Sequence, residues 1–436
     1  MMLRLLYSAA LWLAQPLLRA RLLRRGAREP GYLERVEERF GRYGPAVAAA
    51  AGGAGTGWLW VHAVSLGETR AAAVLLDALR ERLPQQRVLL THGTATGRTE
   101  GARLLRPGDL QVWQPWDTPG AVGRFLRTFR PRAGILMETE VWPNLTAACA
   151  AAGIPLVLAN ARLNPKSLHN ARQLGALARP AYASLAAVWA QSEGDAQRLH
   201  SLGAPVRGVF GNLKFDATPD PRLLACGRHW RAGHGRPVVL FASSREGEES
   251  LWLQALQRRQ ARGGPGDAGV QWLVVPRHPQ RFAEVAALIA EHGFAVSRRS
   301  GWDTAPPAAG APAVWLGDSV GEMALYYGLA DVALLGGSFA ALGGQNLIEA
   351  AACGCPVVMG PHTFNFAEAA ALAQAAGAAR RVDDLAQAVD AATALAGDVG
   401  RQAAAAEAAL QFAAAHRGAA ARTAQAVAEL LAAARR

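Results

Sequence analysis

Two acidic side chains stand where an apolar segment gives way to a polar turn. Glu68 closes Ser65-Leu66-Gly67-Glu68 after the apolar run Trp58–Val64, and Glu138 follows Met137 in Glu138-Thr139-Glu140-Val141-Trp142-Pro143-Asn144. A carboxylate at a strand's carboxyl end could take a proton from an attacking hydroxyl, and a second could bind a sugar hydroxyl or orient the first. The same spacing fits helix caps. Ser65 and Glu68 have the S-x-x-E spacing of a capping box, and a helix start favours the ionised carboxylate, which makes it a weaker base. Both readings stand for Glu68 and for Glu138. Cations follow in the same kind of place: Arg162 in Asn160-Ala161-Arg162-Leu163 could bind an anionic acceptor group. Lys214, in Asn212-Leu213-Lys214-Phe215-Asp216, falls at an expected domain junction.

A second group of residues suits a nucleotide. Leu334-Leu335 runs into Gly336-Gly337, and Gly343-Gly344 opens a segment carrying Asn346 and Glu349. Glycines allow close backbone approach, and a helix start offers free N–H groups to an anion. Glu349 could accept hydrogen bonds from ribose hydroxyls. Ser243–Glu249 and Pro276-Arg277-His278-Pro279 supply further anion-binding groups at strand ends, and Gly317–Gly321 forms another strand-to-helix turn. The alternative is a set of tight, capped turns, since glycine-rich turns are common. No metal motif and no Walker loop occur, so no cofactor is expected, only a donor whose phosphate is neutralised by Arg, Lys and helix dipoles.

These side chains need a frame. Strands are expected at Trp58–Val64, Arg87–Thr91, Ala133–Met137, Ile154–Ala159, Val188–Gln191 and Val206–Phe210. A second series covers Pro237–Ala242, Gln271–Val275, Ala313–Leu316, Asp331–Leu335 and Pro356–Met359. Helical patterns lie between, as over Thr69–Leu83, where Val74, Leu75, Ala78 and Leu79 share a face. Continuous apolar strands separated by helices predict parallel sheets covered on both faces. The fold class is therefore α/β, with two Rossmann-like domains facing a central cleft. The expected organisation is a membrane-anchor helix over 1–25, an acceptor domain over 26–212, a linker over 213–222 and a nucleotide domain over 223–436. Its terminal helices could return to the first domain. The Ala/Gly stretch Ala46–Gly57 reads as a loop.

The chain has 436 residues, half of them hydrophobic, and a formal net charge of +12. That length fits two domains, and the charge suits an anionic partner. No interleaved aromatic and basic motif points to nucleic acid. The four cysteines lack ligand or disulfide spacing, which fits a reducing compartment. Leu5–Leu18 is apolar but shorter than the ~20 residues of a membrane span. Arg19, Arg21, Arg24 and Arg25 follow it, a pattern that predicts an interfacial anchor on the cytoplasmic face of an anionic membrane.

In order along positions 1 to 380, these motifs resemble the Kdo (3-deoxy-D-manno-oct-2-ulosonic acid) transferases of lipopolysaccharide assembly. The matching segments are Glu38-Arg39-Phe40-Gly41, Trp60 to Glu68, Met137 to Pro143, Asn160 to Leu163, Gly211 to Asp216, Pro276 to Pro279, Gly336 to Glu349 and Gly360 to Phe366. The resemblance implies a GT-B fold that takes CMP-Kdo as donor and a lipid A precursor as acceptor at the inner membrane. It implies Glu68 as general base, Glu138 as a second essential acid and Lys214 near the leaving phosphate or the Kdo carboxylate. Ser65, Gly67, Glu140, Arg162 and Asn212 would meet substrate. Arg277, His278, Gly317, Gly321, Gly336, Gly337, Gly343, Gly344, Asn346 and Glu349 would line the CMP site. A related GT-B enzyme using another nucleotide sugar is the nearest alternative.

Overall fold

In the computed structural model, which describes residues 2–52, 57–262, 269–302, 305–307 and 313–433, fourteen strands pair in parallel into two sheets. The first contains β1 (Trp58–His62), β2 (Arg87–His92), β3 (Leu110–Trp113), β4 (Pro131–Met137), β5 (Leu156–Ala161), β6 (Ala187–Ala190) and β7 (Val206–Val209). Their order is β3-β2-β1-β4-β5-β6-β7. The second contains β8 (Val238–Ser244), β9 (Gln271–Pro276), β10 (Ala295–Arg298), β11 (Ala313–Leu316), β12 (Val332–Leu335), β13 (Val357–Met359) and β14 (Ala379–Arg381). There the order is β10-β11-β9-β8-β12-β13-β14. The chain divides into one unit of Met1–Asp216 with Arg417–Arg436, and another of Ala217–His416.

Burial on both faces explains why the strands read as unbroken apolar runs. Along β1, Trp58 and Trp60 enter one core with Phe125 and Phe129, while Leu59 and Val61 enter the opposite one with Leu75, Leu76 and Leu79. Each fully buried side chain of this size contributes roughly 1.5–3 kcal/mol. The helix Ala419–Ala433 completes the second of these cores through Ala424, Val427 and Leu431. Asp216 fastens its start by accepting the N–H groups of Gly418 (2.5 Å) and Ala420 (2.6 Å). The chain's last helix thus belongs with its first sheet.

Three strands have no counterpart in the sequence reading: β3, β10 and β14. All three are sheet edges and short, and β10 and β14 carry arginines. Edge strands are kept short and charged, which erases the apolar signal. The Ala/Gly stretch also differs from expectation. Pro45–Ala51 is a helix with Pro45 at its first position, and Ala51 is buried beside Trp58, whose indole N–H reaches the Ala51 carbonyl. Residues 53–56 of that stretch lie outside the described residues. The first residues of the expected linker, Leu213–Asp216, form a 3-10 turn with Leu213 and Phe215 buried in the first unit.

At the N-terminus, Met2–Leu13 and Gln15–Gly26 are helices. Met2, Leu6, Trp12, Leu13 and Leu17 are exposed, and no helix among the described residues is long and apolar enough to cross a membrane. Polar contacts hold the first helix down: the Tyr7 hydroxyl donates to Asp117 Oδ2 (3.0 Å) and Ser8 Oγ to Asn144 Oδ1 (3.1 Å).

In the second unit the helices Pro221–Gly233 and Met323–Leu329 touch backbone to backbone at glycines. A Cβ on Gly227 would lie 2.1 Å from the Leu325 carbonyl oxygen. Gly227→Ala is therefore expected to lower stability by about 1–3 kcal/mol, the range for overpacked sites, read as an earlier denaturant midpoint. An unchanged midpoint would contradict this packing.

Candidate active site

In a doubly wound sheet, ligands bind beyond the carboxyl ends of the strands where the order reverses. For the first sheet that place is between β1 and β4, and Glu68 follows β1 while Glu138 follows β4. Ser65 is extended and caps the helix Leu66–Arg82, its Oγ accepting the Glu68 N–H (3.4 Å). The Glu68 carboxylate folds back. Its Oε2 accepts from the Val64 N–H (2.8 Å) and its Oε1 from Ser65 Oγ (3.3 Å). The cap is made, yet the group is not a weak base. Burial pushes its pKa up to about 7, and the negative charges of Glu138 and Glu140 add to the rise, against the pull of the Val64 N–H and Ser65 bonds. Desolvation wins over the helix end.

Glu138 is buried and left-handed (φ +57°). It caps no helix: the carboxylate of Asp117 instead receives the N–H groups of Asn144 (3.0 Å) and Leu145 (2.8 Å) at the start of Pro143–Ala151. Two cations converge on Glu138, Arg162 Nε at 3.1 Å from Oε2 and Lys214 Nζ at 3.6 Å from Oε1. Arg162 and Lys214, read from sequence as groups for substrate anions, thus meet a carboxylate of the protein. The Asn212 side chain accepts the Lys214 N–H (3.0 Å) and shapes the turn. The Trp142 indole N–H pins Glu140 (2.9 Å), and burial raises the Glu140 carboxyl above its ordinary range. Gly67 is exposed with open space beside it, a Cβ there meeting only Ser65 Oγ at 4.0 Å.

In the second sheet the order reverses between β8 and β12, and the two loops leaving there are Ser243–Gly247 and Gly336–Gln345. Gly336 allows no side chain, because a Cβ would stand 2.1 Å from the Ser243 carbonyl oxygen. The N–H groups of this loop differ from the expected open cradle. Gly336 N–H bonds Ala242 O (2.8 Å), while buried Glu248 accepts from Gly337 (2.7 Å), Phe339 (3.1 Å), Ala340 (3.1 Å) and Arg245 (3.0 Å). Glu248 was missed because three acids in Glu246–Glu249 look alike in sequence. Gly337, Gly343 and Gly344 all take positive φ (69°, 88° and 75°), which favours glycine.

Asn346 is the cap residue of the short helix Leu347–Ala352 rather than inside it. Its side chain does not bond the helix start, and Oδ1 is buried without a hydrogen-bond partner. Glu349 lies in the first turn, half-buried. Arg277, just after β9, donates through Nε to Gln345 Oε1 (3.2 Å), tying that strand end to the glycine loop. Burial, and then the charges of Arg245 and Arg277, lower the pKa of His278 beside it. Gly317 has no room for a side chain against Val275 and Tyr326, whereas Gly321 (φ +89°) lies open. No group of three or more His, Cys, Asp or Glu side chains that could hold a metal occurs among the described residues.

The fold has solved counterparts. A glycosyltransferase from Rickettsia africae ESF-5 superimposes with a TM-score of 0.56 at 13% identity, covering 86% of this chain and 99% of that one. With its two parallel sheets, the molecule has the GT-B fold of glycosyltransferases. Residues 34–217 match the family described as 3-deoxy-D-manno-octulosonic-acid transferase (kdotransferase). Over 98% of its length the chain is 48% identical to the 3-deoxy-D-manno-octulosonic acid transferase of Bordetella pertussis, covering 99% of it. Identity to the Haemophilus influenzae enzyme of that name is 33%, over 84% of each chain. The chain belongs to the 3-deoxy-D-manno-octulosonic acid (Kdo) transferase family and is a glycosyltransferase.

The raised Glu68 pKa carries a stability consequence whose sign is set. A carboxyl that titrates near 7 when folded and near 4.5 otherwise favours folding while protonated, and that contribution is lost as pH rises from 4.5 through 7. Glu68→Gln keeps a capping side chain without the charge. It is expected to be more stable than the parent at pH 8, by roughly 2–3 kcal/mol, with the gap closing toward pH 4. Equal denaturation midpoints at pH 8 would count against a half-buried, perturbed carboxyl.

Proposed function

We propose that this transferase moves Kdo from CMP-Kdo to a lipid A precursor of the lipid IVA type, with inversion and with Glu68 as general base. The observation that carries the reading is the position of Glu68 at the switch point of the first sheet, with a carboxyl pushed up to about 7. A base is most effective when its pKa lies near the working pH. Glu68 takes the proton of a primary hydroxyl as its oxygen forms a bond to the anomeric carbon of Kdo. The bond from that carbon to the phosphate oxygen breaks on the opposite face, and CMP leaves with the electron pair. A single displacement turns a β-linked donor into an α-linked product.

The supporting groups divide by unit. In the first, Glu138 with Arg162 and Lys214 fixes the charge around Glu68, and Ser65, Gly67, Glu140 and Asn212 shape the acceptor side. In the second, Arg277 and His278 hold the phosphate of cytidylate, the Gly317, Gly321, Gly336, Gly337, Gly343 and Gly344 turns leave room for its close approach, and Asn346 and Glu349 lie toward the nucleoside. A fixed cation that faces charge developing on the leaving phosphate lowers the barrier without reorganisation. The reaction drawn this way uses no metal or other cofactor. Exposed Leu6, Trp12, Leu13 and Leu17, followed by Arg19, Arg21, Arg24 and Arg25, seat the enzyme peripherally on the cytoplasmic face of the inner membrane, beside an acceptor embedded there.

Glu68→Gln is expected to lower transfer by about 10²–10⁴-fold while CMP-Kdo binding, measured by calorimetry, survives. Because only the ionised carboxylate accepts a proton, kcat/KM of the parent should fall tenfold per unit as pH drops below about 7. Retained transfer in the variant refutes the base assignment. In competition assays CMP should inhibit and UDP should not, with rates unchanged by excess EDTA. Inhibition by UDP alone would point to another nucleotide sugar.

A further inference from the structure

We infer that Asn160 is the residue that positions Lys214 against Glu138, and that its neutral amide keeps a further carboxylate away from Glu68. The inference rests on the roles proposed for Glu68 and Glu138. Asn160 lies in β5, where Met137 pairs with Ala159, so it stands opposite Glu138 just beyond the last regular pair. Both residues turn left-handed there, Glu138 at φ +57° and Asn160 at φ +51°. Backbone bonds lock the step: the Glu138 N–H to Ala159 O (3.0 Å) and the Arg162 N–H to Glu138 O (3.1 Å). Asn tolerates this conformation better than most residues with a side chain.

The Asn160 side chain then reaches the turn that carries Lys214. Oδ1 accepts the Leu213 N–H (3.0 Å), and the Asn160 carbonyl accepts from Gln191 Nε2 (2.9 Å). Leu213 opens the 3-10 turn Leu213–Asp216, whose next residue places Nζ 3.6 Å from Glu138 Oε1. One buried amide therefore joins the Glu138 strand end to the Lys214 turn.

Its other half distinguishes positioning from simple stapling. Leu213 presents a donor, so the amide oxygen must face it, which leaves Nδ2 buried with no hydrogen-bond partner. An orphaned buried donor is destabilising. Asp would tolerate the same backbone and accept the same N–H, but it would bury a charged oxygen where Nδ2 now lies without a partner. It would also add a carboxylate beside Glu138, which with Glu140 already raises Glu68, and would compete for Lys214. The neutral amide avoids that charge.

Two variants of the full-length protein, assayed with CMP-Kdo and a lipid A precursor, test this. Asn160→Gly keeps the left-handed backbone and removes the side-chain amide, and with it the acceptor for Leu213. Its kcat is expected to fall about tenfold, with KM for CMP-Kdo within about twofold and the acid limb of the rate profile moved to higher pH, as Glu138 is less neutralised. Asn160→Asp keeps the bond to Leu213 and should shift the acid limb upward through its added charge. The groups facing Glu68 in this argument are Val64, Ser65, Glu138 and Glu140, with Arg162 and Lys214 acting through Glu138. Parent-like kcat and pH profile in Asn160→Gly would overturn the inference. So would a kcat that falls only in step with the folded fraction while the acid limb stays put. Retained transfer in Glu68→Gln would sink the underlying base assignment as well; an inactive Glu68→Gln beside a parent-like Asn160→Gly would sink this inference alone.

Discussion

Desolvation of the Glu68 carboxyl is the constraint on which the rest turns. A helix N-terminus holding an acid in a capping box ordinarily lowers its pKa, which suits stability and weakens a base. Here Ser65 makes the cap and the Glu68 carboxylate folds back onto it and the Val64 N–H, yet its pKa is still pushed up to about 7, because burial and the charges of Glu138 and Glu140 outweigh two favourable hydrogen bonds. Architecture and chemistry are thereby joined in one turn. The cap fixes where the carboxylate stands, and its surroundings decide what that carboxylate can do.

The two sheets explain why functional residues cluster although they are distant in sequence. Each reverses its strand order once, and each reversal brings together the loops that follow two central strands. In the first unit this gathers positions 65–68, 138–142, 160–162 and 212–214. In the second it gathers 243–249 and 336–346, with 277–278 alongside. Non-glycine residues with positive φ mark these places: Glu138, Asn160 and Ser243 all follow or end central strands. Left-handed backbone at a functional edge carries strain that surrounding hydrogen bonds must hold.

The central strands were legible because both faces are buried and their residues are continuously apolar. The edges β3, β10 and β14 were not, because each spans only three or four residues and β10 and β14 carry arginines. Pro45–Ala51 read as low complexity, but a proline at the first helical position and alanine's high helix propensity make it a helix once Ala51 is covered by Trp58. For the site, Glu68, Glu138, Arg162 and Lys214 were visible as polar residues at strand ends. Their mutual pairing was not, because Glu138, Arg162 and Lys214 meet only when β4, β5 and the turn after β7 are aligned. Glu248 and Asn160 escaped for a related reason. Their roles lie in bonds to backbone N–H groups, and backbone donors leave no trace in residue types. The motif resemblance supplied the family without supplying that geometry.

The central claim is a single titration. Isotope-edited infrared or carbon NMR spectra of glutamate-labelled protein, differenced against Glu68→Gln to isolate one carboxyl, would follow its ionisation directly. The account predicts a midpoint near 7. A midpoint in the ordinary glutamate range, about 4–4.5, would show that the helix end prevails over burial and would contradict it.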